Sequence, residues 1–538
     1  MTLNTMFAGQ NAIWQGPEAT IAYDEAGIQA CLRALEQPCY VVRNHRGISA
    51  TNADSVFPTG DGAEDGIHVL AAVPPATPQA FGDPGFREAH GLEYAYMAGS
   101  MANAISSEAL VIALGREKML GAFGAGGLSP QRLEAAIHTI QEALPEGPYC
   151  FNLIHSPNEP ALEDHVVDLY LKHRVTTIEA SAYLRLTPAL VRYRVAGLRS
   201  DGNNVIANNK VIAKLSRREV ATQFMQPAPA RVLRQLIEQG KISAQQAALA
   251  EHVPMADDVT VEADSGGHTD NRPLVCLMPA MLALRDEIQA QQRYATPVRV
   301  GAAGGIGTPV AALGAFMMGA AYIVTGSINH ACVEAGTSAH VKALLAQADM
   351  ADVMMAPAAD MFEMGVNLQV LKRGTLFPMR ARKLYQLYQT YASLDDIPAA
   401  ELAGLEKQVF QRRLDAVWDD CVTFFTERDP AQLERAAENP KRKMALVFRW
   451  YLGLATRWGI TGEPGREMDY QIWCGPAMGA FNAWTRGTDL EAPEQRHAAD
   501  VALRMLGEAA YLYRVQALRM QGVSLGARLQ QKSHEAPD

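Results

Sequence analysis

Three sets of residues in this 538-residue chain have types and spacings that could do chemistry. The stretch "EADSGGHTD" (262–270) sets Ser265, the pair Gly266-Gly267 and His268 among Glu262, Asp264 and Asp270. An imidazole changes protonation near neutral pH, so His268 can donate or accept a proton, and the glycine pair before it makes a tight turn. The second set is Gly304-Gly305 in "GAAGGIGTP" and Gly326-Ser327 in "YIVTGS". Glycines there let backbone N–H groups turn inward and approach an anion closely. A third set is scattered: Gly99 and Ser100 in "MAGSMANAISSEAL", Asn152, Glu179, Ser181 and Lys214. Small residues, amides and one lysine suit a flat polar ring held above a phosphate. Lys214 reads equally as a surface lysine. His268 has a plainer reading as a turn histidine bonded to a neighbour, but the glycines before it favour a site role.

The elements that must position these residues are legible from hydrophobic patterning. Eight short apolar runs recur from residue 93 on: "YAYMA", "MLGAF", "YCFNLI", "VTTIEA", "KVIAKL", "VTVEA", "VRVGA" and "YIVTG". Such runs, β-branched and without clean alternation, suit strands buried on both faces. Each is followed by turn residues and a helical period, which predicts a (β/α)8 TIM barrel of the α/β class, with a doubly wound sheet as the alternative. The two glycine loops then follow strands seven and eight, where barrels commonly hold phosphate. Thr308 and Pro309 read as the start of the next helix, and Gly319 as its end. Residues 226–254 read as a helical insertion turning at Gly240. The expected organisation is a small N-terminal α/β unit over 1–90, with a linker near Pro84. The barrel follows over 91–375, and a helical region packing on it over 376–538, with a frayed end.

Composition narrows the class. The formal net charge is −10 and the chain is 48% hydrophobic, so there is no basic field for nucleic acid. Seven scattered cysteines without a C-x-x-C pair suggest neither a disulfide framework nor a zinc site, and no metal is expected. They point to a cytoplasmic setting. The first residues lack a basic head and apolar run, so no signal peptide is read, and "ALGAFMMGAAYIV" is too short to span a bilayer. "DSGG" also occurs around the nucleophile of trypsin-like proteases, but those are β-rich chains with a separate His and Asp. An EF-hand reading fails because acids do not fall at alternate positions.

Together, "MAGSMANAISSEAL", "GAFGAGGLSP", "FNLIHSP", "EADSGGHTD" and "AAGGIGTPVAALGAFMMGAAYIVTGS" resemble the FMN-dependent barrels that include nitronate monooxygenases and flavin-type enoyl-ACP reductases. The wider likeness covers residues 93–345. Over the whole chain, "KRGTLFPMRARKLYQLY" and "IWCGPAMGAFNAW" included, the sequence is similar to trans-acting enoyl reductases of polyketide and polyunsaturated fatty acid synthases. The resemblance implies FMN and NADPH as cofactors and an enoyl thioester on an acyl carrier protein as substrate. It implies that Gly304, Gly305, Gly326 and Ser327 hold the FMN phosphate, and that Gly99, Ser100, Asn152 and Lys214 contact the ring. Gly266-Gly267 leave room for the flavin, and His268 is the catalytic candidate. The basic stretches at 371–383 and 441–458 are candidate carrier contacts or plain solvated helix faces. Neither nucleic acid nor membrane is expected as a partner, and a homodimer is left open. Nitronate oxidation, a flavin-free lyase or isomerase, and a non-catalytic scaffold are the competing readings.

Overall fold

The computed structural model describes residues 12–58, 67–156, 160–202 and 204–525. The tail "QQKSHEAPD" and most of "FPTGDGAEDG" lie outside the described residues. The chain divides into two compact units: one of residues 1–82, 308–317 and 500–538, the other of residues 83–307 and 318–499.

In the first unit, five strands form an antiparallel sheet in the order Gly47–Thr51, Cys39–Asn44, Ile67–Val73, Ala12–Trp14 and Val56–Pro58. Asp24 starts the helix Glu25–Arg33 by accepting the Gly27 N–H at 2.9 Å. Leu32, Cys39, Val41 and Val73 form a core with Tyr511, Val515 and Leu518 of the last helix. Buried Arg514 donates to the carbonyls of Leu32, Ala34 and Leu35 at 3.0–3.2 Å, which satisfies the loose carbonyls at the end of helix Glu25–Arg33.

The second unit holds the barrel. Its strands are Tyr96–Ala98, Leu120–Phe123, Cys150–Ile154, Thr177–Ser181, Lys210–Leu215, Asp258–Glu262, Arg299–Ala303 and Ile323–Thr325. All eight apolar runs are therefore barrel strands. Neighbours pair in parallel in chain order, and Ile323–Thr325 pairs back onto Tyr96–Ala98, closing the barrel and excluding the open sheet. Parallel closure buries these strands almost completely, which is why they read as unbroken apolar runs.

At the strand starts, Asp258 is fully buried and takes Arg299 Nε at 2.6 Å, Arg299 Nη2 at 3.0 Å and His90 Nε2 at 2.8 Å. Burial opposes its charge, but His90 and Arg299 outweigh that and hold its carboxyl below the usual range. His90 ends a helix, Pro84–His90, that stands where the sequence suggests a linker; Asp83 caps it, with its side chain accepting the Gly85 N–H at 2.6 Å.

The insertion is two helices, Ala230–Glu238 and Ala244–Ala250, with left-handed Gly240 between them. A hairpin, Leu198–Asp201 with Asn204–Ala207, precedes strand five, and its apolar run Val205-Ile206-Ala207 is too short to announce it. After the eighth strand come the antiparallel strands Val353–Pro357 and Asn367–Leu371, then helices that include Phe377–Thr390, Leu414–Arg428, Pro440–Thr461 and Ala477–Thr485. No helix among the described residues is long and apolar enough to cross a membrane.

Candidate active site

The carboxyl ends of the barrel strands open into a cleft of ≈ 190 Å³. The eleven residues to which the resemblance gives a cofactor or catalytic role all line it: Gly99, Ser100, Asn152, Lys214, Gly266, Gly267, His268, Gly304, Gly305, Gly326 and Ser327. Their convergence follows from barrel geometry, which brings every strand's carboxyl end to one face.

One side of the cleft is backbone. Gly304 and Gly305 have φ of 88° and 72°, in the left-handed region that glycine enters freely. A Cβ on Gly304 would lie 2.6 Å from the Ala263 carbonyl carbon. At Gly305 and Gly326 it would meet nothing within 4 Å, because both face open space. Ser327 opens a short helix, and its hydroxyl accepts the Gly475 N–H at 3.0 Å.

The floor is charged. Lys214 Nζ stands 3.5 Å from Glu262 Oε1, and both side chains are largely buried. Burial disfavours the ammonium, but Glu262 and Glu179 outweigh it and raise the Lys214 pKa, so the lysine stays charged. Burial raises the Glu262 carboxyl, Lys214 lowers it, and Glu179 adds to the rise. Glu179 is fully buried, and its Oε2 accepts the Ser100 N–H at 3.0 Å and the Ser100 hydroxyl, while its Oε1 has no hydrogen-bond partner. Asn152 donates to the Glu179 carbonyl at 3.0 Å and to Ser181 Oγ.

His268 stands on the remaining wall, and its position is built from distant parts of the chain. Gly267–His268 pairs antiparallel with Asn367–Leu371, placing His268 opposite Leu368. The Gln369 amide donates to Asp264 Oδ1 at 2.7 Å and to the Ser265 carbonyl at 2.8 Å, while Asn271 donates to Asp264 at 2.9 Å. Asp264 is thus a turn anchor. A Cβ on Gly266 would sit 2.8 Å from the Cys474 nitrogen, so this turn admits no side chain. His268 Nε2 lies 3.1 Å from Asp360 Oδ1, and its side chain is 36% exposed at the mouth of the cleft. Burial lowers the His268 pKa, but Asp360, then Glu262, outweigh it and raise the pKa above the ordinary histidine value. Beyond it, Trp473 lines the cleft, its carbonyl facing His330 Nδ1 at 3.1 Å. Burial pushes the His330 pKa down to about 4, which leaves that ring neutral. The Trp473 Nε1 and Ser265 Oγ atoms are buried without partners beside the cleft.

Glu262, Ser265, Asp360 and Trp473 were not among the predicted site residues. A charged residue at the end of "VTVE" or inside "TIEA" is the signal for Glu262 and Glu179, because a strand buried on both faces excludes an idle charge. Nothing local marks Asp360, while Trp473 lies in "IWCGPAMGAFNAW", the glycine-rich stretch that carries part of the resemblance.

The basic stretches make many contacts within the chain. Arg373 pairs with Asp352 at 3.2 Å, Arg380 with buried Asp469, and Lys383 with Glu401. Arg442 and Arg449 both meet Glu363, and Lys441 and Lys443 stack over Tyr388 and Trp418. These pairs tie both stretches to neighbouring segments, while the Arg373 and Lys383 side chains stay about half exposed.

Comparison with known proteins gives one consistent picture. A family model described as nitronate monooxygenase matches residues 86–396. A fatty acid synthase subunit PfaD N-terminal domain model matches residues 14–75. The inserted helical domain of [acyl-carrier-protein] S-malonyltransferase matches residues 391–470. A polyunsaturated fatty acid synthase protein of Thraustochytrium sp. is 49% identical over 83% of this chain, and polyketide biosynthesis protein PksE of Bacillus subtilis 47% over 81%. The chain spans only 30% and 57% of those two proteins. The crystal structure of the enoyl reductase domain of MlnA, from the macrolactin cluster of Bacillus amyloliquefaciens, superposes with a TM-score of 0.79. It is 39% identical, and the match covers 82% of this chain and 99% of that domain. With a family model over more than half of its residues and a solved relative matched almost end to end, the chain belongs to the nitronate monooxygenase family, alongside the enoyl reductase domain of MlnA.

Proposed function

We propose that the chain is a trans-acting enoyl reductase. It reduces the α,β-double bond of an enoyl thioester borne by an acyl carrier protein, using NADPH through FMN, in polyketide or polyunsaturated fatty acid synthesis. The observation that carries this reading is the convergence, in one cleft, of an open glycine cradle, a buried lysine–glutamate floor and His268, which Asp360 holds from outside the lining.

The lining fits FMN. Gly304, Gly305, Gly326 and Ser327 form an anion cradle open towards the cleft, and the unpartnered Ser265 Oγ and Trp473 Nε1 are left for a polar ligand to satisfy. Held by these residues, FMN would supply hydride transfer between a nicotinamide and the β-carbon of the enoyl thioester. Lys214 is held charged by Glu262 and Glu179 and would offset negative charge on a bound flavin. Gly99 and Ser100 keep that floor flat, with Ser100 held by Glu179 and Asn152 holding the strand end beside it.

His268 delivers a proton to the α-carbon or polarises the thioester oxygen. Its raised pKa favours the protonated, donating form. Nitronate oxidation, the competing reading, would use the same ring as a base. The seven cysteines are all free thiols, which supports a cytoplasmic setting.

The test is the flavin spectrum of the purified protein during NADPH addition, followed by a crotonyl-carrier or crotonyl thioester. Bleaching by NADPH and recovery with the enoyl thioester is expected. Turnover confined to alkyl nitronates and oxygen would sink the reading.

A further inference from the structure

Among the described residues outside the cleft, one group of side chains from neighbouring helices has metal-ligand chemistry: Glu134, His138 and His173. Glu134 and His138 are four residues apart on the helix Pro130–Ala143, which stacks them on one face. His173 follows the next barrel helix, Pro160–Lys172, whose last turn it extends through its N–H to the Leu169 carbonyl at 2.9 Å. The His173 carbonyl in turn accepts Gln141 Nε2 at 2.8 Å, so the helix that carries the first two residues also fixes the third.

His173 Nε2 reaches Glu134 Oε1 at 2.7 Å, and the rings of His138 and His173 lie 4.8 Å apart at 80°. One donor atom from each residue lies within 4.8 Å of the other two. A tetrahedral zinc with ligands at 2.0–2.1 Å wants its donors about 3.4 Å apart, which modest side-chain rotations achieve.

We propose that Glu134, His138 and His173 form a two-histidine, one-carboxylate site for Zn2+ or a similar borderline divalent ion. Two imidazoles select Zn2+, Ni2+ or Cu2+ over Mg2+ and Ca2+. Three protein ligands leave the fourth position to water. None of the three residues lines the cleft, so the ion clamps two adjacent outer helices and takes no part in the reaction. The competitor is Lys172, whose Nζ sits 2.7 Å from Glu134 Oε1. Its side chain is 64% exposed, so the ammonium swings into water at little cost when a cation arrives.

The test is calorimetric titration of the chelator-treated full chain with Zn2+, alongside thermal melting. One equivalent of Zn2+ should bind and raise the melting temperature, and Mg2+ should do neither. His138→Ala and His173→Ala should each weaken Zn2+ at least tenfold and abolish the Zn2+-induced rise in melting temperature. Lys172→Met should tighten it, because it removes the competitor. Should the His138→Ala/His173→Ala double variant bind Zn2+ as well as the parent, or the parent bind no equivalent, the cluster is an ion pair only and the proposal is wrong.

Discussion

At the residue scale, the pair His268–Asp360 makes the sharpest demand on experiment. Burial lowers the His268 pKa; Asp360 at 3.1 Å, helped by Glu262, outweighs it and raises the pKa above the ordinary histidine value. If the protonated ring is the donor, reduction falls as pH rises through the raised pKa. Asp360→Asn removes the strongest raising influence, so the alkaline limb of the rate profile should move to lower pH. His268→Ala should retain bound flavin and lose about 10²- to 10⁴-fold in the rate of enoyl reduction. A limb that stays in place in Asp360→Asn would disconnect that carboxylate from the proton. Lys214→Met tests the floor separately. Removing the ammonium leaves Glu262 and Glu179 facing each other without their cation, so flavin affinity and reduction rate should both fall. Reduced flavin titrated potentiometrically would show it as a lower midpoint potential.

At the scale of elements, the two glycine loops separate fold from ligand. Gly304 cannot take a side chain without striking Ala263, so its substitution confounds folding with binding. Gly326 is different: its φ is negative at −135° and a Cβ there meets nothing in the protein. Gly326→Asp should therefore melt near the parent temperature and yet purify with at least tenfold less flavin, through charge against the phosphate. Gly326→Asn, equal in bulk and uncharged, should retain more; equal loss in both would mean crowding rather than charge. The sequence made these loops legible because glycine at a strand end is a backbone requirement that shows in the residue type itself. The eight strands were legible for a related reason, since burial on both faces leaves unbroken runs such as "KVIAKL". The wall behind His268 was not. Its partner strand begins about a hundred residues later, and Asp360 is 92 positions away, so only tertiary pairing defines them. The hairpin Leu198–Asp201/Asn204–Ala207 also escaped, because its apolar run Val205-Ile206-Ala207 is too short to stand out from the polar residues around it.

At the scale of the whole molecule, the helices after the barrel complete the cleft from outside it. Asp469, fully buried, is their hub. It accepts Tyr451 Oη at 2.7 Å and Arg466 Nη1 at 3.1 Å, and it pairs with Arg380. These partners come from helix Pro440–Thr461, from the loop after it, and from helix Phe377–Thr390. Just downstream, Ile472 accepts the Leu371 N–H at 2.9 Å and Trp473 bridges to Val370, on the strand that also holds His268. The hub thus fixes the segment that sets Trp473 in the cleft and Cys474 against Gly266. Asp469→Ala leaves two arginines buried without their shared anion, a change that costs about 3–5 kcal/mol in comparable buried pairs. The loss should not stay local. If Trp473 is held in place through this hub, Asp469→Ala should lower the melting temperature and also weaken flavin retention, even though Asp469 does not line the cleft. Trp473→Phe keeps the ring but removes the unpartnered indole N–H, so it should weaken flavin binding without the drop in melting temperature. Flavin occupancy and melting measured on both variants distinguish a supporting framework from a direct contact. Full flavin content in a clearly destabilised Asp469→Ala would show that the helical region stands apart from the cleft it lines.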